Sequence, residues 1–160
     1  MSRISIPCRC DVTQLAKRFP PESDSGVACT RSCGYVPPQD QNEINSAMSR
    51  LERFINDDQL STLDPLIKMA LIHHQFESIH PFPDGNGRIG RILNVLYLTR
   101  VDLLEIPILY LSRAINTSKS EYYRLLQHVR DTGEWEDWLI YMLRAVDETA
   151  KTTLNLSDRF

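Results

Sequence analysis

No stretch of this sequence approaches the roughly 20 consecutive apolar residues needed to span a bilayer. The opening MSRISIPCRC has no apolar run behind its arginines of the kind a secretory signal carries. Neither sign of charge dominates: 18 Lys and Arg against 21 Asp and Glu leave a formal net charge of −3, which gives no general electrostatic reason to bind nucleic acid or a membrane surface. Internal repeats, low-complexity segments and long blocks of like charge are also missing. Cysteine is confined to Cys8, Cys10, Cys29 and Cys33. Their C-x-C and C-x-x-x-C spacings are not those of paired zinc knuckles, and the long cysteine-free remainder looks able to fold on core packing without a disulfide framework. The expectation is a soluble, cytoplasmic protein in which the role of the four thiols stays open.

What is present is the composition of one ordinary globular domain, 42% hydrophobic and 24% charged over 160 residues. Residues 1–33 read as an irregular or divergent segment, with FPPESDSG and then GYVPPQDQ as turn and extended signals. The folded domain is assigned to residues 34–160. Ile44, Met48, Leu51, Phe54 and Ile55 lie on one face of an amphipathic helix that ends near Asn56 or Asp57. A second helix is expected after Thr62 or Asp64, with Pro65 in its first turn and a core face of Leu66, Ile67, Ala70, Leu71, His74 and Ile79. Pro81 and Pro83 forbid helix, so HPFPDG is a loop, and NGRIGRILNVLYLTR resumes helical spacing. After Pro107 come the apolar stretch ILYLSRAI, a helix KSEYYRLLQHVRDTG closed by Gly133, and a last helix EWEDWLIYMLRAVDETAKTTL. The fold class is all-α.

The chemistry concentrates in HPFPDGNGRIGR, residues 80–91. A helix start carries unpaired N–H groups and partial positive charge, and so receives anions. Gly85 and Gly87 let an oxyanion approach the backbone, and Asn86 between them can donate amide hydrogens. Arg88 and Arg91, three apart, can bring two guanidinium forks to phosphate oxygens. Asp84 would repel phosphate unless it holds a divalent metal that bridges to it, and magnesium is the expected ion. His80 is of the residue type that most often takes a proton from an attacking hydroxyl. Singly, each of these residues reads more simply as turn, core or solvated surface. Their convergence on one helix start does not. His73 and His74 lack a partnered acid at useful spacing and are read as structural.

HPFPDGNGRIGR matches in full the signature H-x-F-x-[D/E]-G-N-G-R-x-x-R of the Fic (Fido) family, and about residues 34 to 150 resemble its bacterial members. The resemblance implies a Fic-type helical bundle in which the active-site loop leads into a central helix. It further implies transfer of AMP from ATP to a Ser, Thr or Tyr hydroxyl of a target protein, or of the chain itself. On that likeness His80 is the general base, Phe82 anchors the loop in the core, and Asp84 ligates Mg2+. The nucleotide contacts run through Asp84, Gly85, Asn86, Gly87, Arg88, Ile89, Gly90 and Arg91, and Tyr122 and Tyr123 match a pair that lies by the adenosine, with core packing as the plainer alternative.

Two departures qualify the likeness. Similar proteins carry an inhibitory helix with [S/T]-x-x-x-E-[G/N]; the nearest string here, Thr117 to Glu121, is followed by Tyr122 and lies in the wrong place. YVPP often follows a β-hairpin flap that clamps the target strand, yet residues 1–33 show no convincing flap, so a small hairpin there is left open. A non-catalytic or weakly active nucleotide-binding core acting as a regulator, and phosphotransfer from another donor, therefore stand beside adenylyl transfer; Gly87 argues against the phosphotransferase branch. Self-association is equally open. Because the inhibitory string is missing, replacing any glutamate outside residues 80–91 is expected to stimulate labelling by ATP very little, and a large increase in such a variant would reveal an inhibitor of another form.

Overall fold

The computed structural model describes residues 35–157. In chain order these form α1 (Gln41–Asn56), a single 3-10 turn (Asp58–Leu60), α2 (Pro65–Ile79), α3 (Asn86–Arg100), α4 (Leu111–Thr117), α5 (Lys119–Thr132) and α6 (Glu136–Ser157). The expected all-α bundle is what is found, and no strand occurs among the described residues. The hairpin left open near the N-terminus, the four cysteines and the boundary between residues 33 and 34 lie outside the described residues. None of the described helices is long and apolar enough to cross a membrane.

The helix starts follow from short acidic caps. Asp40 accepts from the N–H groups of Asn42 at 2.8 Å and Glu43 at 3.1 Å, supplying two of the acceptors α1 lacks. Asp64, not Thr62, caps α2 by accepting from Leu66 N–H at 2.8 Å. Pro65 takes the first position, where its missing N–H costs nothing. α5 stops at Gly133, whose φ of 71° is left-handed and suits a residue without Cβ.

α2 is where sequence spacing and structure part. The expected single stripe would leave its other side wet, and Leu66 and Ile67 at the head of that stripe are in fact only half-buried. From Lys68 to Ile79 every side chain except Gln75 is buried. The reason is that α1, α3 and α6 all pack on α2, so it has no solvent face left to alternate with. Trp138 of α6 is wholly enclosed and donates its indole N–H to the Ala70 carbonyl at 3.0 Å.

Polar groups on the core helices are matched to helix ends. The C-terminus of α1 receives Arg100, which donates to the Ile55 carbonyl at 2.6 Å and the Asn56 carbonyl at 3.2 Å. Lys68 reaches the same Ile55 carbonyl at 3.5 Å while lying over the rings of Phe54 and Tyr97. Both cations sit where the helix dipole is negative, and α3 and α2 are thereby tied to α1.

Replacing Gly133 by alanine places a Cβ in open space but in a left-handed backbone. A loss of about 1 kcal/mol in urea unfolding is expected, with no change in the slope of the transition; an unchanged midpoint would show that α5 can end without this cap.

Candidate active site

α2 cannot continue past His80, because Pro81 keeps the preceding residue out of the right-handed helical region. His80 instead takes φ 51° and ψ 55°, with its N–H on the Phe76 carbonyl at 3.0 Å. For a residue with a Cβ such a left-handed conformation costs on the order of 1–3 kcal/mol, and it leaves the imidazole exposed at the mouth of the loop.

The loop that follows is closed by one side chain. Phe82 N–H donates to Asn86 Oδ1 at 3.0 Å, and Asn86 Nδ2 donates back to the Phe82 carbonyl. Asn86 is 2% exposed. Its amide oxygen and one of its two amide hydrogens are therefore engaged in holding the loop's shape. Phe82 differs from its expected role as a core anchor: it is 44% exposed, its ring lying 6.5 Å from that of Phe76 at the rim. The backbone bridge to Asn86 does the anchoring, which frees the ring to face outward.

Gly85 is the N-cap of α3, and its φ of 85° brings the chain into the helix with no side-chain cap. The first helical bond is Ile89 N–H to the Gly85 carbonyl at 3.0 Å. The earlier N–H groups of this turn are the anion-receptive ones. Arg88 lies on the open side, paired with Asp84 at 3.2 Å, both side chains largely in water at 72% and 92% exposure. A pair so exposed holds its partners weakly and exchanges readily. Arg91 is half-buried and directed by Ser112 of α4, whose hydroxyl accepts from Nε at 2.8 Å. A Cβ on Gly87 would come within 3.2 Å of Arg91 Nη1, so this glycine gives the guanidinium its room.

Ile89 and Gly90, counted with the nucleotide contacts from sequence, turn toward the interior. Ile89 packs against the core. Gly90 faces α2, where a Cβ would stand 3.2 Å from both Glu77 Oε1 and His73 Cε1. Tyr122 is also interior, 3% exposed, its hydroxyl 2.9 Å from His73 Nε2, and burial pushes its phenol far above the usual range. The packing alternative describes Tyr122. Tyr123 is 54% exposed, with Lys119 Nζ 6.0 Å over its ring, and is the member of the pair that a base could reach.

Three residues behind the loop were not singled out from sequence: Glu77, Ser112 and Arg130. Glu77 is 7% exposed, and its Oε1 finds no hydrogen-bond partner. Burial raises its carboxyl, against the lowering pull of His80, Arg91 and Arg130. Glu77 is the one acidic residue of α2 and stands three residues before His80, and that was the available signal. Ser112 and Arg130 reach the site from 21 and 52 residues away in sequence, and no local pattern announces them.

His73 and His74 are structural, as their lack of a partnered acid suggested. Asn94 Nδ2 donates to His73 Nδ1 at 3.1 Å, and His74 Nε2 lies 3.2 Å from the Leu126 carbonyl. Burial lowers His73 to about 4 and His74 to about 3, so both are neutral at pH 7. As for a metal, no group of three or more His, Cys, Asp or Glu side chains converges among the described residues. A lone exposed carboxylate such as Asp84 fits Mg2+ held by one protein ligand plus substrate phosphates, and does not fit an all-protein cage.

Fold and site together define an all-α domain with an anion-receptive helix start beside an exposed histidine. Residues 13–98, more than half of the chain, match the Fic/DOC family, and the chain belongs to that family. It is 36% identical over 116 residues to the protein adenylyltransferase Fic of Drosophila erecta, covering 72% of this chain and 22% of that protein. With the namesake from Drosophila yakuba it shares 43% identity over 67 residues, 42% of this chain and 13% of the relative. The chain thus spans about a fifth of the length of the first of these relatives. A solved Fic family protein from Desulfovibrio desulfuricans G20 shares the fold, with a TM-score of 0.65 at 22% identity over 91% of this chain and 47% of that one.

The buried histidines and Glu77 make opposite demands on pH. The unfolded chain protonates His73 and His74 near 6.5, the folded chain only near 4 and 3, so their contribution is intact above about pH 6.5 and is lost as pH falls below it. Glu77, raised by burial, favours the folded state on acidification. Removing that offset in Glu77→Gln should make stability fall more steeply between pH 7 and pH 4 than in the parent. Urea unfolding across that range checks this, and parallel profiles would mean that Glu77 titrates as in the unfolded chain.

Proposed function

We propose that this chain is the core of a protein adenylyltransferase, moving AMP from ATP to a Ser, Thr or Tyr hydroxyl of a target protein. The observation that carries the reading is the placement of His80 at the end of α2, immediately ahead of an uncapped, glycine-opened start of α3 that bears Arg88 and Arg91.

The first-turn N–H groups of α3 and the two arginines bind the phosphates. Arg91, preset by Ser112, meets a phosphate with little loss of freedom, whereas Arg88 exchanges Asp84 for the ligand. Asp84 would hold Mg2+, which when bound neutralises phosphate charge. The target hydroxyl oxygen bonds to the α-phosphorus, the bond from that phosphorus to the bridging oxygen of the β-phosphate breaks, and pyrophosphate leaves. His80 takes the hydroxyl proton. Tyr123 offers an exposed ring for the adenine to stack on.

Incubation of the chain with labelled ATP, Mg2+ and cell lysate should label proteins with AMP. His80→Ala should reduce that labelling at least about 100-fold, with ATP affinity by calorimetry little changed. Equal labelling by the variant removes His80 from the chemistry. Mass spectrometry that finds phosphate instead of AMP on the product redirects the reading to phosphotransfer.

A further inference from the structure

The last carbonyls of a helix have no partner inside it, and the final turn frays unless something else occupies them. At the end of α2 two of them are occupied from distant parts of the chain. Arg130 of α5 donates through Nη2 to the Glu77 carbonyl at 3.1 Å and through Nε to Ser78 Oγ at 3.0 Å. Tyr35, ahead of α1, donates its hydroxyl to the Ser78 carbonyl at 2.9 Å. The Arg130 guanidinium lies 4.0 Å from the centre of the Tyr35 ring. Both groups are largely shielded from water: burial pushes the Tyr35 phenol up and holds the Arg130 guanidinium below its usual value. A charged fork bonds most strongly in such surroundings.

We propose that Arg130, braced by Tyr35, is a positioning residue for His80. The proposal rests on the assignment of His80 as the base. Glu77 and Ser78 stand three and two residues before it, and His80 keeps a left-handed backbone with its N–H on the Phe76 carbonyl. A residue with a Cβ leaves that conformation when the preceding turn is loose, and its imidazole turns with the backbone. The clamp's hydrogen bonds go to the Glu77 and Ser78 carbonyls and to Ser78 Oγ in the last turn of α2, not to Arg88, Arg91 or the start of α3. It therefore fixes the base without contacting the nucleotide. Burial of α2 does not depend on it, since Trp138 and the facing helices hold the middle of α2 independently.

Two variants of the full 160-residue chain separate these roles. Arg130→Met keeps the stem and removes the fork; Tyr35→Phe keeps the ring and removes one hydroxyl. Arg130→Met is expected to lower kcat for AMP transfer about 10- to 100-fold while KM for ATP stays within about twofold, and Tyr35→Phe to act in the same direction by a smaller factor. Hydrogen exchange at the His80 amide, measured without substrate, should accelerate in both variants relative to the Met69 and Ile72 amides. Unchanged exchange at His80 in both overturns the clamp, whatever the activity. Faster exchange with unchanged kcat overturns the positioning role, as does a rise in KM for ATP that matches the fall in kcat. If Arg130→Met does not fold, Tyr35→Phe carries both readouts. A parent chain that transfers no AMP fails the functional reading, and the exchange measurement still decides the clamp.

Discussion

α2 has no side facing water along most of its length, yet it takes Lys68, His73, His74, Glu77 and Ser78 into the interior. A polar group removed from water must be paired or neutral, and this requirement reaches residues on nearly every neighbouring element. Asn94 of α3 and Tyr122 of α5 bracket His73, the Leu126 carbonyl of α5 meets His74, and the end of α1 meets Lys68. The pairing is incomplete at Glu77 Oε1, His74 Nδ1 and Asn94 Oδ1. All three lie on α2 or on α3, the two helices that the loop of residues 80–85 joins. The helix that carries the proposed base on its end is thus also the one whose interior polar demands are met least fully.

The two motif arginines show how one residue type serves two purposes three positions apart. Arg88 stands in water beside Asp84, where the ion pair contributes little to stability and is open to exchange. Arg91 is held by Ser112 from another helix and has room only because position 87 has no side chain. One is free to find a ligand and the other is preset for it. On the proposed reading, phosphate recognition by the pair would join adaptability to pre-organisation.

Much of the local architecture was legible in the sequence. Asp64-Pro65, Pro81 with Pro83, and Gly133 each mark a boundary through a backbone constraint that operates wherever those residues occur. The grouping of His80, Asp84, Gly85, Asn86, Gly87, Arg88 and Arg91 was legible too, because all of them lie within one loop and the first two turns of the helix after it. What spacing could not show was anything decided by a partner far along the chain. The all-round burial of α2 erases the periodicity that would identify its faces, and His73, Glu77 and Ser78 look like a polar side until α3 and α5 are in place. Phe82 was expected as a core anchor on the family likeness alone, whereas its ring is exposed and the loop is held by the bonds between its backbone and Asn86. Tyr122 and Tyr123 are adjacent in sequence and therefore point to different faces of a helix, so a pairwise likeness could not assign one role to both.

The reciprocal bonds between Asn86 and Phe82 have a consequence for how this loop can vary. Both bonds run between the same two residues, one in each direction, and so fix the number of residues between them as well as the path. Nothing in that arrangement inspects the exposed side chains at positions 83 and 84. The loop is a ring closed by an amide: its shape places no demand on the outward side chains, but it does on the length, since one residue more or fewer would part both bonds at once and set the histidine and the helix start out of register.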